Sequence, residues 1–207
     1  ELVRHRIESP RGDYLATLSS IRYLVDIVEK RAMEIEVPKI RATIGVGIPG
    51  TISPASGLVK NSNSTWLIGQ RFDKDIADTL ERPVKVENDA NCFVRSEATD
   101  GAAMGSNIVF GAILGTGVGG GLFVDGKVRT GLNSITGEWG HNPLPWPLSR
   151  ADKYDMSVEY PGRVCYCGKN GCIETFLSGS GLATDHEIIN RISLEPLAIV
   201  AAASAGD

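Results

Sequence analysis

Apolar positions recur with a helical period in the first part of the chain and then in short, strand-like runs. Between Leu15 and Val28 an apolar residue returns every three or four positions, which predicts a helix that Asp13 caps and that ends before Pro38. A shorter helix is predicted over residues 72–80. Apolar runs of strand length occupy residues 2–7, 42–48, 84–87, 107–114 and 122–124.

The second half of the chain continues this alternation of strands and helices. The segment 88–90 leads into a helix predicted to reach about Ala103, and Asp125-Gly126 predicts a hairpin turn into residues 127–129. Residues 51–70 and 131–172 are expected to be irregular. Further helical patterns occupy residues 173–177 and 185–203. Strands that alternate with helices predict an α/β fold.

Charge and composition exclude several classes of protein. The 207 residues include 21 Lys and Arg against 25 Asp and Glu, a net charge of −4, and no dense basic run is present, so no nucleic-acid partner is expected. No run of about 18 apolar residues occurs, so no membrane association is expected. The charged first residues show no signal-peptide pattern, and the cytoplasm is the expected compartment.

Three of the four cysteines lie within eight residues, a spacing that favours a metal site over a disulfide framework. They are Cys165, Cys167 and Cys172. Zinc prefers four tetrahedral nitrogen or sulfur ligands, and His141 is the nearest histidine that completes a structural Cys3His site, with His5 and His186 as competitors. The alternative is that the three are free buried thiols. Cys92 stands alone in the sequence and is expected in the core.

Glycine is abundant, and 17 of the 24 glycines fall between residues 101 and 181. Gly115, Thr116 and Gly117 join two apolar runs, in a turn that can bring backbone N–H groups and a hydroxyl close to a phosphate. The sequence lacks the Lys-Ser/Thr pair of a Walker A loop, and it continues as a hairpin where a dinucleotide motif would open a helix. A tight turn between packed strands explains the glycines equally well.

Three carboxylates are candidates for binding or proton transfer. Asp89 follows a predicted strand, at the usual functional edge of α/β sheets, where it can accept a proton from an attacking alcohol or simply cap the next helix. Glu138 and Glu174 lie close in sequence to the candidate metal ligands. Held rigidly, these two can bind sugar hydroxyls, but their spacing alone favours exposed surface acids.

Together these motifs resemble the ROK family of sugar kinases and repressors. The matching segments are 47–50, 87–91, 114–121, 137–141 and 165–176. The resemblance implies a two-lobed α/β fold of the actin-like ATPase (ribonuclease H-like) class. Within the family, the loops at 52–54, 59–61, 63–66 and 141–146 look most like bacterial fructokinases of the manno(fructo)kinase type and less like N-acetylglucosamine kinases.

The resemblance further implies ATP-dependent phosphorylation of a hexose 6-hydroxyl, with fructose as the expected sugar and Asp89 as the general base. The sugar ligands would be Gly50, Asn63, Asn88, Asp89, Glu138, His141 and Glu174. His141 would place one ring nitrogen on zinc and direct the other toward the sugar. Gly115, Thr116 and Gly117 would hold the ATP phosphates, whose charge Mg²⁺ would neutralise.

The same resemblance divides the chain into an N-terminal lobe, residues 1–88, and a C-terminal lobe, residues 89–207. The family's first phosphate motif, Asp-x-Gly-x-Thr, has no match here, and its last strands should follow residue 207. We therefore expect an internal fragment, truncated at both ends and inactive by itself, of a protein that forms a homodimer. Alternatives are a kinase for mannose, glucose or an N-acetylhexosamine, a sugar-sensing ROK repressor, and a zinc-stabilised module without catalysis.

Overall fold

The computed structural model describes residues 1–35, 42–145 and 162–206. The elements in chain order are α1 (Tyr14–Glu34), β1 (Ile44–Ile48), β2 (Thr51–Ile52), β3 (Val59–Lys60), a 3₁₀ turn (Thr65–Leu67), α2 (Phe72–Leu80), β4 (Val84–Asn88), α3 (Asp89–Thr99), β5 (Ile108–Leu114), β6 (Val118–Val124), β7 (Lys127–Val128), a 3₁₀ turn (Trp139–His141), α4 (Glu174–Leu177), α5 (Gly179–Asn190) and α6 (Pro196–Ala205). No helix within these ranges is long and apolar enough to cross a membrane. The chain contains two compact units, Glu1–Cys92 with Leu132–Ser134, and Phe93–Gly131 with Ile135–Asp207.

Helix α1 of the first unit begins where the sequence predicts it. The Asp13 side chain accepts a hydrogen bond from the backbone N–H of Ala16 at 2.9 Å, as an N-cap does. Leu18 is buried, and Ile21 and Val25 pack against the same core, so these three residues mark the inner face of the helix. Leu15, the first residue of the predicted apolar period, is exposed.

The prediction of a strand over residues 2–7 is wrong. The backbone there forms no strand, and no neighbouring strand within the described residues pairs with it. Its apolar and polar side chains alternate only weakly, and the exposed Arg4 pairs with Glu1 at 2.6 Å. Alternation alone cannot make a strand, because the backbone hydrogen bonds of a strand need a partner.

Strands β1 and β4 form a parallel pair, with Ile44 opposite Val84 and Ile48 opposite Asn88. Parallel pairing places the carboxyl ends of both strands at one edge, so the residues that follow Ile48 and Asn88 lie near one another. Strands β2 and β3 form a small hairpin in the segment expected to be irregular, because strands of two residues are too short to show a period.

Helix α2 spans the predicted residues because its apolar side chains recur at positions i, i+4 and i+8. Phe72, Ile76 and Leu80 are all buried in the core of this unit, and burial of such side chains contributes roughly 1.5–3 kcal/mol each. Tyr14 packs edge to face against Phe72 at a ring distance of 6.5 Å, and its hydroxyl donates to Asp75 at 2.7 Å.

The second unit contains an antiparallel sheet in the order β5-β6-β7. The hairpin predicted at Asp125-Gly126 is confirmed, with φ values of 50° and 77° at these two residues, as a type I′ turn requires. Strand β6 starts at Val118, so the glycines at 119–121 belong to the strand, which the sequence interpretation began only at Leu122.

Two further expectations from the sequence are corrected. The helical pattern over residues 185–203 forms two helices, because Arg191 adopts a left-handed conformation that ends α5 and Pro196 begins α6. Cys92 is exposed instead of buried, because Ala90, Val94 and Ala98 form the inner face of α3. Residues 146–161 of the segment expected to be irregular lie outside the described residues.

Candidate functional site

Four candidate metal ligands meet in the second unit. The ligand atoms of His141, Cys165, Cys167 and Cys172 all lie within 4.8 Å of one another. Nδ1 of His141 is 3.5 Å from Sγ of Cys165, and the Sγ atoms of Cys167 and Cys172 are 3.6 Å apart. The structure thus brings together the histidine and the three cysteines that the sequence proposes, and we call this group the knuckle.

Two of the distances within the knuckle fit a tetrahedral zinc ion. With zinc–sulfur and zinc–nitrogen bonds of about 2.3 and 2.05 Å, tetrahedral angles place two sulfurs about 3.8 Å apart, and a sulfur and a nitrogen about 3.6 Å apart. The observed sulfur–sulfur and sulfur–nitrogen distances of 3.6 and 3.5 Å agree with this geometry. Four protein ligands leave no open position for water, so such a site is structural.

Short backbone pairings hold the knuckle ligands in place. The backbone N–H of Cys165 donates to the carbonyl of Lys169 at 2.8 Å, which closes a tight loop around Cys167. Cys172 forms an isolated β-bridge with Pro143. These pairings bring the cysteine loop next to the 3₁₀ turn that carries the histidine.

The thiols of the knuckle differ in acidity. Burial raises the pKa of Cys172 to about 12, and burial is also the largest cause that raises the pKa of Cys165. Burial acts in the same direction on Cys167, but hydrogen bonds from the backbone of Lys169 and from the neighbouring thiols outweigh it and lower the pKa. Cys167 is therefore the knuckle thiol that loses its proton most readily.

The second ring nitrogen of His141 also has a partner. Its Nε2 lies 3.1 Å from the hydroxyl of Tyr166, and the two rings meet edge to face. Although most of the Tyr166 surface is exposed, desolvation of its hydroxyl, followed by the charges of Glu174 and Glu138, raises its pKa and keeps it protonated. The negative charges of both predicted sugar carboxylates therefore oppose ionisation of the hydroxyl that faces the histidine.

The 3₁₀ turn that carries His141, together with Glu138 just before it, is held against strand β6. The indole N–H of Trp139 donates to the carbonyl of Gly119 at 2.6 Å. Trp139 also packs edge to face with Phe110 at a ring distance of 6.2 Å. This anchor fixes the orientation of the turn, and with it the side chains on either side of the tryptophan.

Two glycines allow this turn to approach β6 closely. A Cβ atom at Gly137 would overlap the carbonyl of Gly120, and a Cβ at Gly140 would overlap the carbonyl of Val118. No other residue type fits at these two positions unless the backbone moves. The segment expected to be irregular is therefore packed tightly where the structure describes it.

The predicted phosphate turn, residues 115–117, joins β5 to β6. The backbone N–H of Gly115 donates to the carbonyl of Gly117 at 2.9 Å, which closes the turn. Thr116 is exposed at its tip. The turn accordingly presents a hydroxyl and backbone groups to solvent, as a phosphate-binding turn needs to do.

The carboxylate of Glu174 lies against this turn. Its Oε2 accepts a hydrogen bond from the backbone N–H of Val118 at 2.9 Å. A Cβ atom at Gly117 would come within 2.8 Å of the same oxygen, so the glycine makes room for the carboxylate. The second unit thus places a predicted sugar ligand beside the predicted phosphate turn.

In the first unit, the carboxyl ends of β1 and β4 bring Gly50 and Asn88 together. The side-chain N–H of Asn88 donates to the carbonyl of Gly50 at 2.9 Å, and its Oδ1 accepts from the backbone N–H of Asn91 at 3.1 Å, as a helix N-cap does. Gly50 has a φ of 80° and packs against the carbonyl of Lys60. Each end of the Asn88 amide therefore has a structural partner.

Asp89, the candidate base, is exposed at the first residue of α3. Its Oδ1 accepts from the backbone N–H of Ala90 at 2.8 Å. One oxygen thus supports the start of the helix while the carboxylate faces solvent, so a capping role and a catalytic role are compatible. Asn63 is exposed in the loop between β3 and the 3₁₀ turn at Thr65–Leu67.

Sequence reasoning missed three participants: Tyr166, Trp139 and the backbone of Val118. The position of Tyr166 between two cysteine ligands was the available signal, because a residue in so short a loop must lie near the ligands. The tryptophan follows Glu138 directly and could have been recognised as an anchor. No local signal could have indicated the backbone contact, which joins positions 56 residues apart.

Comparison with known proteins places these features in a family. The sequence profile of the ROK family matches residues 1–207. The N-acetyl-D-glucosamine kinase of Yersinia enterocolitica serotype O:8 / biotype 1B is 37% identical over 203 residues, which cover 98% of this chain and 63% of that protein. The chain therefore spans just under two thirds of the length of this curated relative.

Solved structures share the fold. The ROK hexokinase of Thermus thermophilus matches with a TM-score of 0.73 and 25% identity over 97% of this chain and 61% of its own. A ROK family transcriptional regulator, a homologue of the Escherichia coli MLC protein, matches with a TM-score of 0.63 and 20% identity over 86% of this chain and 41% of its own. The expected actin-like α/β fold is confirmed, and it is common to kinases and regulators.

Proposed function

The chain belongs to the ROK family, and from that premise we propose that the natural protein carrying it is a sugar kinase, which transfers the γ-phosphoryl group of ATP to a hexose 6-hydroxyl. The observation that carries this proposal is the contact between Glu174 and the turn at 115–117. Phosphoryl transfer requires the sugar and the nucleotide to meet at one place, and here a carboxylate suited to sugar hydroxyls lies beside a turn suited to phosphates. The 37% identity to a sugar kinase supports the same function.

The two units carry groups suited to different roles. In the first unit, Asp89 would accept the proton of the attacking hydroxyl, with Asn88, Gly50 and Asn63 as sugar ligands. The exposure of Asp89 supports its role. Among the described residues, the Asn88 side chain uses one of its two N–H groups, on Gly50, which leaves the second for a sugar hydroxyl. Kinase chemistry depends on such positioning more than on covalent catalysis.

In the second unit, Glu138, His141 and Glu174 would bind sugar hydroxyls, and residues 115–117 would bind the ATP phosphates. When bound, Mg²⁺ would neutralise the phosphate charge. The knuckle would hold structural zinc, which its donor set and distances fit, and would thereby fix the imidazole. A sugar hydroxyl at Nε2 of His141 would either replace the Tyr166 hydroxyl there or share the ring nitrogen with it.

The identity of the substrate sugar is the more specific part of the proposal. The resemblance of the loops at 52–54, 59–61, 63–66 and 141–146 to fructokinases favours fructose. The Yersinia relative is a kinase of N-acetyl-D-glucosamine, which makes that sugar the first to test. The two sugars differ at carbon 2, where one carries an acetamido group and the other a ketose centre. A kinase built for one should therefore discriminate strongly against the other, because an unmatched polar group in a site costs binding energy.

The test is a coupled assay of ADP formation by the natural full-length protein with ATP and Mg²⁺. N-acetylglucosamine, fructose, mannose and glucose are supplied separately, and the product is examined for phosphate at oxygen 6. Sugar-dependent turnover with one of them supports a kinase and identifies its substrate. Absence of turnover with all four, together with sugar-sensitive binding to DNA, would establish the regulator instead. Metal analysis of the same preparation should find about one zinc per chain.

A further inference from the structure

The predicted phosphate turn is tied at both of its ends to one short segment, residues 174–179. At one end, Oε2 of Glu174 accepts from the N–H of Val118 at 2.9 Å. At the other end, the N–H of Gly179 donates to the carbonyl of Gly115 at 2.8 Å. The turn at 115–117 is therefore held from outside by a segment that follows the knuckle directly in sequence.

This segment is itself well fixed. Arg163 donates to the carbonyl of Thr175 at 2.7 Å, and its guanidinium lies 4.7 Å from the ring centre of Phe176. Arg163 also pairs with Asp185, and the preceding Cys172 is buried. A carboxylate carried by such a segment is therefore held in place where it bonds to the glycine turn.

The two oxygens of Glu174 can serve different partners. Oε2 faces the turn and is bonded to Val118, while a carboxylate has further acceptor positions on Oε1 for a sugar hydroxyl. Gly117 leaves the space that this arrangement needs, because a Cβ there would lie 2.8 Å from Oε2. The glycine thus serves the carboxylate as well as any approaching phosphate.

We propose that Glu174 is a positioning residue for the nucleotide: through Val118 it sets the conformation of the turn at 115–117 and couples sugar binding to nucleotide binding. This inference rests on the proposed kinase function. Glu174 acts on the phosphates through the turn, without touching them. A sugar hydroxyl bonded to Oε1 fixes the carboxylate further, and the turn then binds the nucleotide more tightly.

The test separates a positioning role of Glu174 from a purely electrostatic one, because removal of the carboxylate should weaken nucleotide binding in the first case and strengthen it in the second. We would measure binding of a non-hydrolysable ATP analogue with Mg²⁺ to the sugar-free, full-length protein. Glu174→Ala should weaken this binding about tenfold, whereas Glu174→Gln, which keeps an acceptor oxygen, should change it by about twofold at most. Glu187→Ala, an exposed carboxylate on α5, is the control for loss of one negative charge.

Other results would overturn the inference. If Glu174 were only a negative charge near the phosphates, Glu174→Ala would tighten nucleotide binding, and if it were only a sugar ligand, binding would not change. Either result rejects positioning while leaving the kinase function intact. Failure of the unaltered protein to bind nucleotide rejects both proposals together.

A second measurement needs no nucleotide. The amide proton of Val118 should shift in the NMR spectrum of Glu174→Ala and stay near its original position in Glu174→Gln. An unchanged Val118 resonance in Glu174→Ala shows that the carboxylate does not hold the turn, and it overturns the inference whatever the binding data give. At sugar concentrations that saturate the variant, added sugar should no longer increase the nucleotide affinity of Glu174→Ala, which is the expected sign of broken coupling.

Discussion

The hydroxyl of Tyr166 lies 3.1 Å from Nε2 of His141, and the two rings meet edge to face with their centres 5.2 Å apart. The opposite ring nitrogen faces Cys165. If Nδ1 is the metal ligand, Nε2 carries the ring proton and donates a hydrogen bond to the tyrosine oxygen. The tyrosine thereby selects the tautomer and the ring orientation that a metal at the knuckle requires.

Loss of the Tyr166 hydroxyl should therefore weaken metal binding. We expect Tyr166→Phe to lower zinc affinity about 10-fold or more, because partners of metal-bound histidines commonly contribute about 10–100-fold. Competition with a chelating dye measures this directly. Tyr23→Phe, at an exposed position of α1, is the control and should bind zinc like the original protein. Equal affinities for both variants would show that the tyrosine does not orient the histidine.

The close approach of the 3₁₀ turn to β6 should make Gly137 intolerant of any side chain. Gly137→Ala is expected to destabilise the fold by about 3 kcal/mol, since its Cβ would overlap the carbonyl of Gly120. Gly119→Ala is the matched control, because no heavy atom lies within 4 Å of a Cβ there. Urea unfolding curves give both values, and similar midpoints for the two variants would contradict the packing argument.

The hydrogen bond between Tyr14 and Asp75 should make stability depend on alkaline pH. Burial, and then the bond to Asp75, raises the pKa of Tyr14 in the folded state above its ordinary value of about 10. The stabilising effect is complete below pH about 10 and is lost as the pH rises beyond that, because the unfolded chain releases the proton first.

Tyr14→Phe should thus cost about 1 kcal/mol at neutral pH and remove part of the alkaline loss. Chemical denaturation at pH 7 and at successive values above pH 9 measures both effects. Tyr23→Phe again serves as the control, because its side chain is exposed on the same helix. A parallel decline of the original protein and Tyr14→Phe with rising pH would rule out this tyrosine as the source.

Asp89→Asn should separate chemistry from binding if Asp89 is the general base. The asparagine keeps an oxygen for the N–H of Ala90, so helix α3 should still begin normally. If the full-length protein is the kinase proposed above, we expect its turnover to fall by about 100-fold or more while sugar binding is retained. Asp26→Asn, at an exposed position of α1, controls for the change in charge. Near-normal turnover of Asp89→Asn would exclude this residue as the base.

Sequence patterns predicted elements wherever side chains alone decide the structure. Helix α2 was predicted correctly because three large apolar residues mark one face at helical spacing. The start of β6 was missed because Gly119, Gly120 and Gly121 have no side chains to form a pattern. That part of the strand exists through its backbone bonds to β5 and through the close approach of neighbouring groups.

In the candidate site, too, contacts between particular side chains could be predicted and contacts through the backbone could not. The cysteine spacing with an upstream histidine predicted four residues that do converge, because metal ligands need particular side chains. The sequence could not reveal that the carboxylate of Glu174 bonds to the backbone of Val118, since every residue type except proline offers an N–H. Contacts made through the backbone require the fold to be known.

The distribution of the four cysteines has a practical consequence for chemical labelling. Cys92 is exposed on α3. Cys165 and Cys172 are buried within the knuckle, and Cys167, although exposed, is one of the four candidate ligands there. An alkylating reagent applied to the metal-loaded protein should modify Cys92 first, and treatment with a chelator should add the knuckle thiols to the labelled set. The masses of the labelled molecules would then report what fraction of a preparation holds a metal ion at the knuckle.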